Sequence, residues 1–145
     1  ALGLIKEDIV LDTEIPHLII QEHPWRKLKT ASSERLVPLI GKSYWAAGQI
    51  MQTEAQFAFS NYTSASKCNA NSASAALNKW LKPRVPDGCV VHSFRHALRD
   101  RLRAVECPSD ISDAIGGWST SGIGHSYGDG YDLVVKQMWL QKIVI

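Results

Sequence analysis

The chain has 145 residues, 45% hydrophobic and 21% charged, with a formal net charge of +2. That length suits one domain, large enough to bury a core without disulfides or metals, and the near-neutral balance excludes a general polycation, so any nucleic-acid surface must be local. No apolar run reaches the length of a membrane span, no signal peptide is evident, and the three scattered cysteines, Cys68, Cys89 and Cys107, form no C-x-x-C pair, as suits reduced thiols in a cytoplasmic protein.

Ala1-Leu2-Gly3-Leu4 reads as the tail of a helix begun earlier, with neither a capping residue nor an initiator methionine, so a fragment of a longer protein is expected. No internal repeat is visible. Residues 15–21 are β-branched and apolar and predict a strand. Residues 25–29 and 35–39 predict two more, joined by the polar hairpin loop 30–34, and the three make a small antiparallel sheet. Pro38 should end the last strand or lie at an edge. Residues 42–59 predict a helix with Trp45, Ile50, Phe57 and several alanines on its apolar face. Residues 60–74 read as loop, 75–81 as a helix capped by Ser72 or Ser74, and 83–88 as a break.

The clearest helix spans 93–106, where Phe94, Ala97, Leu98, Leu102 and Val105 fall on one side. Arg95 lies at the edge of that stripe, and Arg99 and Arg103 turn away from it. Ser109 is expected to cap a short helix through Ile115, with Asp110 and Asp113 early in it and Gly116-Gly117 at its end. A last helix is expected over 132–143. The fold class is mixed, mainly α with a small antiparallel β-sheet near the N-terminus.

Three motifs carry chemistry when taken together: His92-Ser93-Phe94-Arg95, then Gly116-Gly117-Trp118, then Tyr127-Gly128 nine residues beyond Trp118. The Arg95 guanidinium is a fixed fork of donors that matches phosphate oxygens. The His92 imidazole can donate or move a proton near neutral pH. The Trp118 indole N–H is a further donor. Tyr127 is the candidate nucleophile. A phenol of pKa about 10 is only about a thousandth ionised at pH 7, so it needs cations around the phosphate and a proton acceptor. Each residue also has an ordinary reading: a histidine that caps a helix, an arginine on the surface, a tryptophan anchoring a turn, a tyrosine that packs. Tyr131, four residues on, is the rival nucleophile.

His92 and His96 have the helical spacing of a zinc pair. They lack the glutamate of H-E-x-x-H and a clear third ligand, so no metal site is assigned. Lys29 is either a solvated residue beside a turn or a proton donor to a leaving oxygen. Basic residues gather at Arg26, Lys27 and Lys29, at Lys79, Lys82 and Arg84, and at Arg95, Arg99, Arg101 and Arg103. Such runs are usually solvated faces, but sharing one side they would follow a DNA backbone. Arg26, Lys27, Lys79, Lys82 and Arg99 are the candidate DNA contacts.

With these motifs in order, nearly the whole chain resembles the catalytic domain of the tyrosine recombinase (phage integrase) family. Leu4-Ile5-Lys6-Glu7-Asp8-Ile9 is similar to its L-x-x-x-D-I segment. Lys29-Thr30 through Arg35-Leu36-Val37-Pro38-Leu39 resembles its K-T…R-x-V-P-L hairpin, and His92-Ser93-Phe94-Arg95-His96 its H-x-x-R-H box. Gly117-Trp118 stands where most members have Gly-His, and Tyr127 stands at the nucleophile's distance from it. The resemblance implies the tyrosine recombinase catalytic-domain fold over residues 1–145 and these roles. Tyr127 attacks a scissile phosphate to give a 3'-phosphotyrosyl bond, and Arg95 holds the nonbridging oxygens. His92 assists proton transfer, Trp118 donates a hydrogen bond or packs the site, and Lys29 is the general acid for the 5'-hydroxyl.

No cofactor is implied. The implied partners are double-stranded DNA attachment sites and a homo-tetramer on DNA, with no membrane, in the cytoplasm of a bacterial host at its nucleoid. The resemblance also implies a further arginine, in a G-x-R segment upstream of the point matching Ala1, and an N-terminal core-binding domain. Neither is in this sequence, so impaired catalysis is expected of it. The ordinary reading of the tail from Leu133 to Ile145 is packing on its own domain; the resemblance implies docking on a neighbouring protomer, and a role of that kind is expected. Alternatives are a topoisomerase IB-like strand passage with the same residues, and a non-catalytic DNA-binding remnant of an integrase.

Overall fold

A computed structural model describes residues 1–29, 33–118 and 130–144. The candidate nucleophile Tyr127 lies outside the described residues, as do Thr30, Ala31 and Ser32 of the expected hairpin loop. Among the described residues the fold is mixed, with five α-helices and a small antiparallel three-stranded sheet near the N-terminus. No helix among them is long and apolar enough to cross a membrane.

The sheet is β1 (Ile9–Val10), β2 (His17–Ile20) and β3 (Arg35–Pro38), in that spatial order. Leu18 pairs with Ile9 on one side and Val37 on the other, and Ile20 pairs with Arg35. Pro38 ends β3, which is an edge strand, where its missing N–H leaves no gap in the ladder. The strand expected over 25–29 does not form. Pro24 instead sets a tight turn in which His23 and Arg26 exchange backbone hydrogen bonds, 3.0 Å each. Trp25 is drawn inward: its ring stacks on His23 at 4.7 Å, meets Phe57 edge-on at 5.2 Å, and its Nε1 donates to the Gly3 carbonyl at 3.0 Å. The third strand is the two-residue β1, too short to announce itself by alternation.

Helix α1 (Gly41–Met51) stops well before the expected residue 59. The chain beyond it pairs with the N-terminal segment: Lys6 N–H donates to Gln56 O and Ala58 N–H to Leu4 O, each at 3.0 Å. The Lys6 ammonium donates to the open carbonyls of Met51 and Thr53, which favours a stop there through the helix dipole. These tertiary bonds override the helix propensity of the alanines. The expected loop 60–74 contains the hairpin β4 (Thr63–Ser64) and β5 (Lys67–Cys68) and the start of α2 (Ala70–Leu81). Asn69, rather than Ser72 or Ser74, caps α2, its Oδ1 accepting from Ser72 N–H at 3.2 Å.

Helix α3 (Ser93–Ala104) is amphipathic as read, with Leu102 fully buried, but Phe94 is 63% exposed and Ala97 is exposed as well. Helix α4 (Ser109–Gly116) follows Pro108 and has no side-chain cap, so Ser109 is its first residue and not its cap. Helix α5 (Leu133–Gln141) starts at Asp132, whose carboxylate accepts from Val135 N–H at 2.8 Å. The main core is Leu102, Cys107, Ile111, Ile115 and Leu140, with Val135, Trp139 and Ile143 packed on it. The α5 face therefore packs within its own domain. A smaller cluster of Ile9, Leu39 and Ala47 lies between the sheet and α1.

Asp8 ties the N-terminal segment to the stretch that follows β2. It is fully buried, and its carboxylate accepts from Ile5 N–H at 3.1 Å and Gln21 Nε2 at 2.8 Å, with His23 Nε2 at 2.7 Å. An alanine there would leave three part-buried partners without their acceptor. Asp8→Ala is expected to cost about 2–4 kcal/mol, with Asp8→Asn milder, measured by urea unfolding. A cost below about 0.5 kcal/mol, the scale of an ordinary surface substitution, would remove Asp8 as the anchor.

Candidate active site

The candidate site is organised around the C-terminal end of α4. A helix leaves its last carbonyls without intrahelical donors. Here Gly117 turns into the left-handed region (φ +62°), where glycine has no Cβ to clash, and Trp118 N–H returns to Asp113 O at 3.0 Å. Of the carbonyls still open, those of Ile115 and Gly116 each take a guanidinium. Arg35 at the start of β3 donates from Nε to Ile115 O at 3.1 Å, and Arg95 on α3 donates from Nη1 to Gly116 O at 2.7 Å. A second Arg35 donor, Nη1, reaches Ser33 O at 2.6 Å.

Trp118 folds back over the helix end. Its ring would overlap a Cβ at Gly116 at about 1.9 Å, so Gly116 is what lets the indole lie there. The Arg95 guanidinium stands 4.4 Å from the ring centroid and that of Arg99 5.0 Å, both cation–π distances. Arg99 also pairs with buried Asp113 at 3.3 Å. The expectation that Arg99 turns away is thus corrected: one turn beyond Arg95, it faces α4 because the indole and the carboxylate draw it there.

The other expected residues are placed as follows. His92 is exposed at the start of α3, one turn before Arg95, and its ring meets His96 edge-on at 5.1 Å. Lys29 is exposed at a bend, and among the described residues no hydrogen bond or ion pair joins it to Arg95 or Trp118. Arg26 is drawn into the fold: its stem covers Gly3 and its guanidinium donates to Gln21 O. Lys27 is exposed and loosely paired with Glu22 at 3.5 Å. Lys79 and Lys82 line a surface pocket of about 340 Å³ on the far end of α2, together with Asp87, Cys89 and Val90. Tyr131, the rival nucleophile, packs on the main core and its hydroxyl donates to Asp110. That hydrogen bond, then burial, push its phenol above the usual range, which works against nucleophilic use. No group of three or more histidine, cysteine or acidic residues suited to a metal occurs among the described residues.

Two cations of the site were not singled out by sequence. Arg35 appeared only as part of a motif, and Lys136 did not appear at all. Lys136 is buried on α5, its Nζ 3.3 Å from Leu36 O on β3. Its ammonium is held below its ordinary range by burial first and then by the charge of Arg35. Arg35 in turn is disfavoured by burial and by the charge of Arg95. Arg95, Arg35 and Lys136 therefore form a run of like charges from α3 across β3 to α5. Comparison with family models, curated proteins and solved structures finds no match to this chain.

Two outcomes follow. Gly117→Ala forces a strained φ and sets a Cβ 2.4 Å from Arg35 Nη1, so a loss of at least about 1 kcal/mol is expected. Thermal melting checks it. For Lys136, a folded-state pKa below the unfolded value of 10.5 means that unfolding takes up a proton in the interval between them. Stability contributed at this residue therefore rises as pH climbs through the folded pKa toward 10.5. Lys136→Met should lose that rise relative to the wild type, read from denaturant midpoints at neutral and alkaline pH; a parallel pH profile in the variant would contradict it.

Proposed function

We propose that this chain is the catalytic domain of a site-specific DNA recombinase or integrase of the tyrosine recombinase kind. The observation that carries the reading is the meeting of Arg95 and Trp118. Far apart in sequence, they form one cationic, indole-backed corner at the end of α4, the guanidinium 4.4 Å from the ring. Among the described residues only Gly116 O accepts from Arg95, leaving its other donors open to a ligand, and none accepts from the Trp118 indole N–H. A preorganised donor of this type is suited to the charge that builds on nonbridging oxygens in a phosphoryl transition state.

In this reading the Tyr127 phenolic oxygen attacks the phosphorus as the bond to the 5'-oxygen breaks. Arg95 and Trp118 hold the phosphate, and His92, one turn before Arg95, assists in taking up the phenolic proton. Lys29 protonates the departing 5'-oxygen. A partner strand's 5'-hydroxyl then attacks the phosphotyrosyl phosphorus, the Tyr127 oxygen leaves, and the phosphodiester is restored. Double-stranded DNA and further copies of the chain are the partners, and the bacterial cytoplasm is the setting.

A randomised pool of nicked suicide duplexes is expected to yield a covalent adduct resistant to denaturation. Tyr127→Phe should abolish it, and Arg95→Ala should lower it by about 10²-fold or more. An adduct retained in Tyr127→Phe but lost in Tyr131→Phe would move the nucleophile to Tyr131. Salt-sensitive DNA binding with no adduct in any variant would leave a DNA-binding module. Binding should weaken with salt at a log–log slope near about −0.9 per phosphate contact, and a flat salt response would count against a backbone-tracking surface.

A further inference from the structure

We propose that Arg35 is a further guanidinium of the phosphate pocket, holding jointly with Arg95 a single phosphate group beside the end of α4. This inference rests on the recombinase reading for its biological ligand but is tested independently of it.

The two guanidinium groups are fixed by successive carbonyls of one helix end, Arg35 on Ile115 O and Arg95 on Gly116 O, so they come from different elements to the same place. Among the described residues each has donors beyond those bonds: Arg35 uses Nε and Nη1 and leaves Nη2, while Arg95 uses only Nη1. No ion pair links either to a carboxylate among the described residues, whereas Arg99 beside them takes Asp113. Lys136 adds a third positive charge behind Arg35 and donates to Leu36 O. The two carbonyls carry only the partial negative charge of a helix end, roughly half an elementary charge. Three full positive charges exceed it, and a bound dianion would relieve the repulsion among them. The carbonyls orient the forks in advance, so a tetrahedral oxyanion meets donors that need no rearrangement. Gly117 completes the geometry, since a Cβ there would occupy the Arg35 guanidinium's place.

The probe is inorganic phosphate. Thermal melting of the chain is followed in phosphate and in chloride at equal ionic strength, and a dissociation constant is taken from the phosphate-specific rise. The wild type is expected to show such a rise. Arg35→Gln and Arg95→Gln should each weaken it at least tenfold, and the exposed Lys67→Gln should leave it unchanged. Arg35→Lys keeps the charge without the fork and should weaken it by a smaller factor, which keeps the test open if Arg35→Gln fails to fold. If Arg35 only ties β3 to α4, its variants will melt lower in both salts and keep the phosphate-specific rise. That result, or no rise in the wild type, overturns the inference. A tyrosine adduct with DNA alongside an intact rise in Arg35→Gln sinks the inference alone. A rise that needs both arginines, with no adduct from any tyrosine, sinks the recombinase reading alone.

Discussion

The open carbonyls at the end of α4 are the constraint on which the rest of the site depends. Helix ends are ordinarily closed by water or by a local cap. Here the turn at Gly117 satisfies Asp113 O, and the carbonyls of Ile115 and Gly116 are taken by side chains from β3 and α3. The same two hydrogen bonds thus join the sheet to the helical half and aim two guanidinium groups. The glycine pair divides the work: Gly117 makes the left-handed turn, and Gly116 clears the space in which the indole lies. A residue with a side chain at either place would disturb the junction and the corner together.

Burial first, and then the neighbouring like charges, disfavour the charged forms of Arg35 and Lys136, so placing them here opposes folding. The domain offsets this with an ordinary apolar core on the other side of α4, where Ile111 and Ile115 meet Leu102 and Leu140. Helix α4 therefore has two faces of different purpose, one supplying cohesion and the other holding charge. Gathered like charge is common at functional sites, although structural charge networks shift pKa values too.

Long periodic segments and glycine or aspartate punctuation were readable in the sequence. The helix holding Leu98 and Leu102, the stop at Gly117 and the start at Asp132 all rest on local chemistry. What escaped was decided by distant partners. Residues 25–29 have strand composition, yet Trp25 is worth more buried against Phe57 and His23 than exposed on a sheet. The helix after Gly41 ends early because Leu4 and Lys6 claim the backbone beyond it. In the site, Arg95 and Trp118 were legible through their motifs, and His92 lies one turn from Arg95 as its spacing requires. Arg35 and Lys136 were not, because a lone cation in a strand or an apolar helix carries no signal of what stands across from it. The one usable hint for Arg35 was its neighbour Leu36-Val37-Pro38, which fixes it at a strand start, where a side chain can reach outward to a helix end.

The front of the chain is stitched in residue by residue. Thr63 donates to Leu2 O, Trp25 to Gly3 O, Leu4 is buried, and Asp8 is enclosed. An engineer choosing where to graft a label or a fusion partner should therefore treat these opening positions as a keystone and not as loose thread. The outward side of α2, where Leu77, Lys79 and Trp80 face solvent, is the more forgiving place for such attachments.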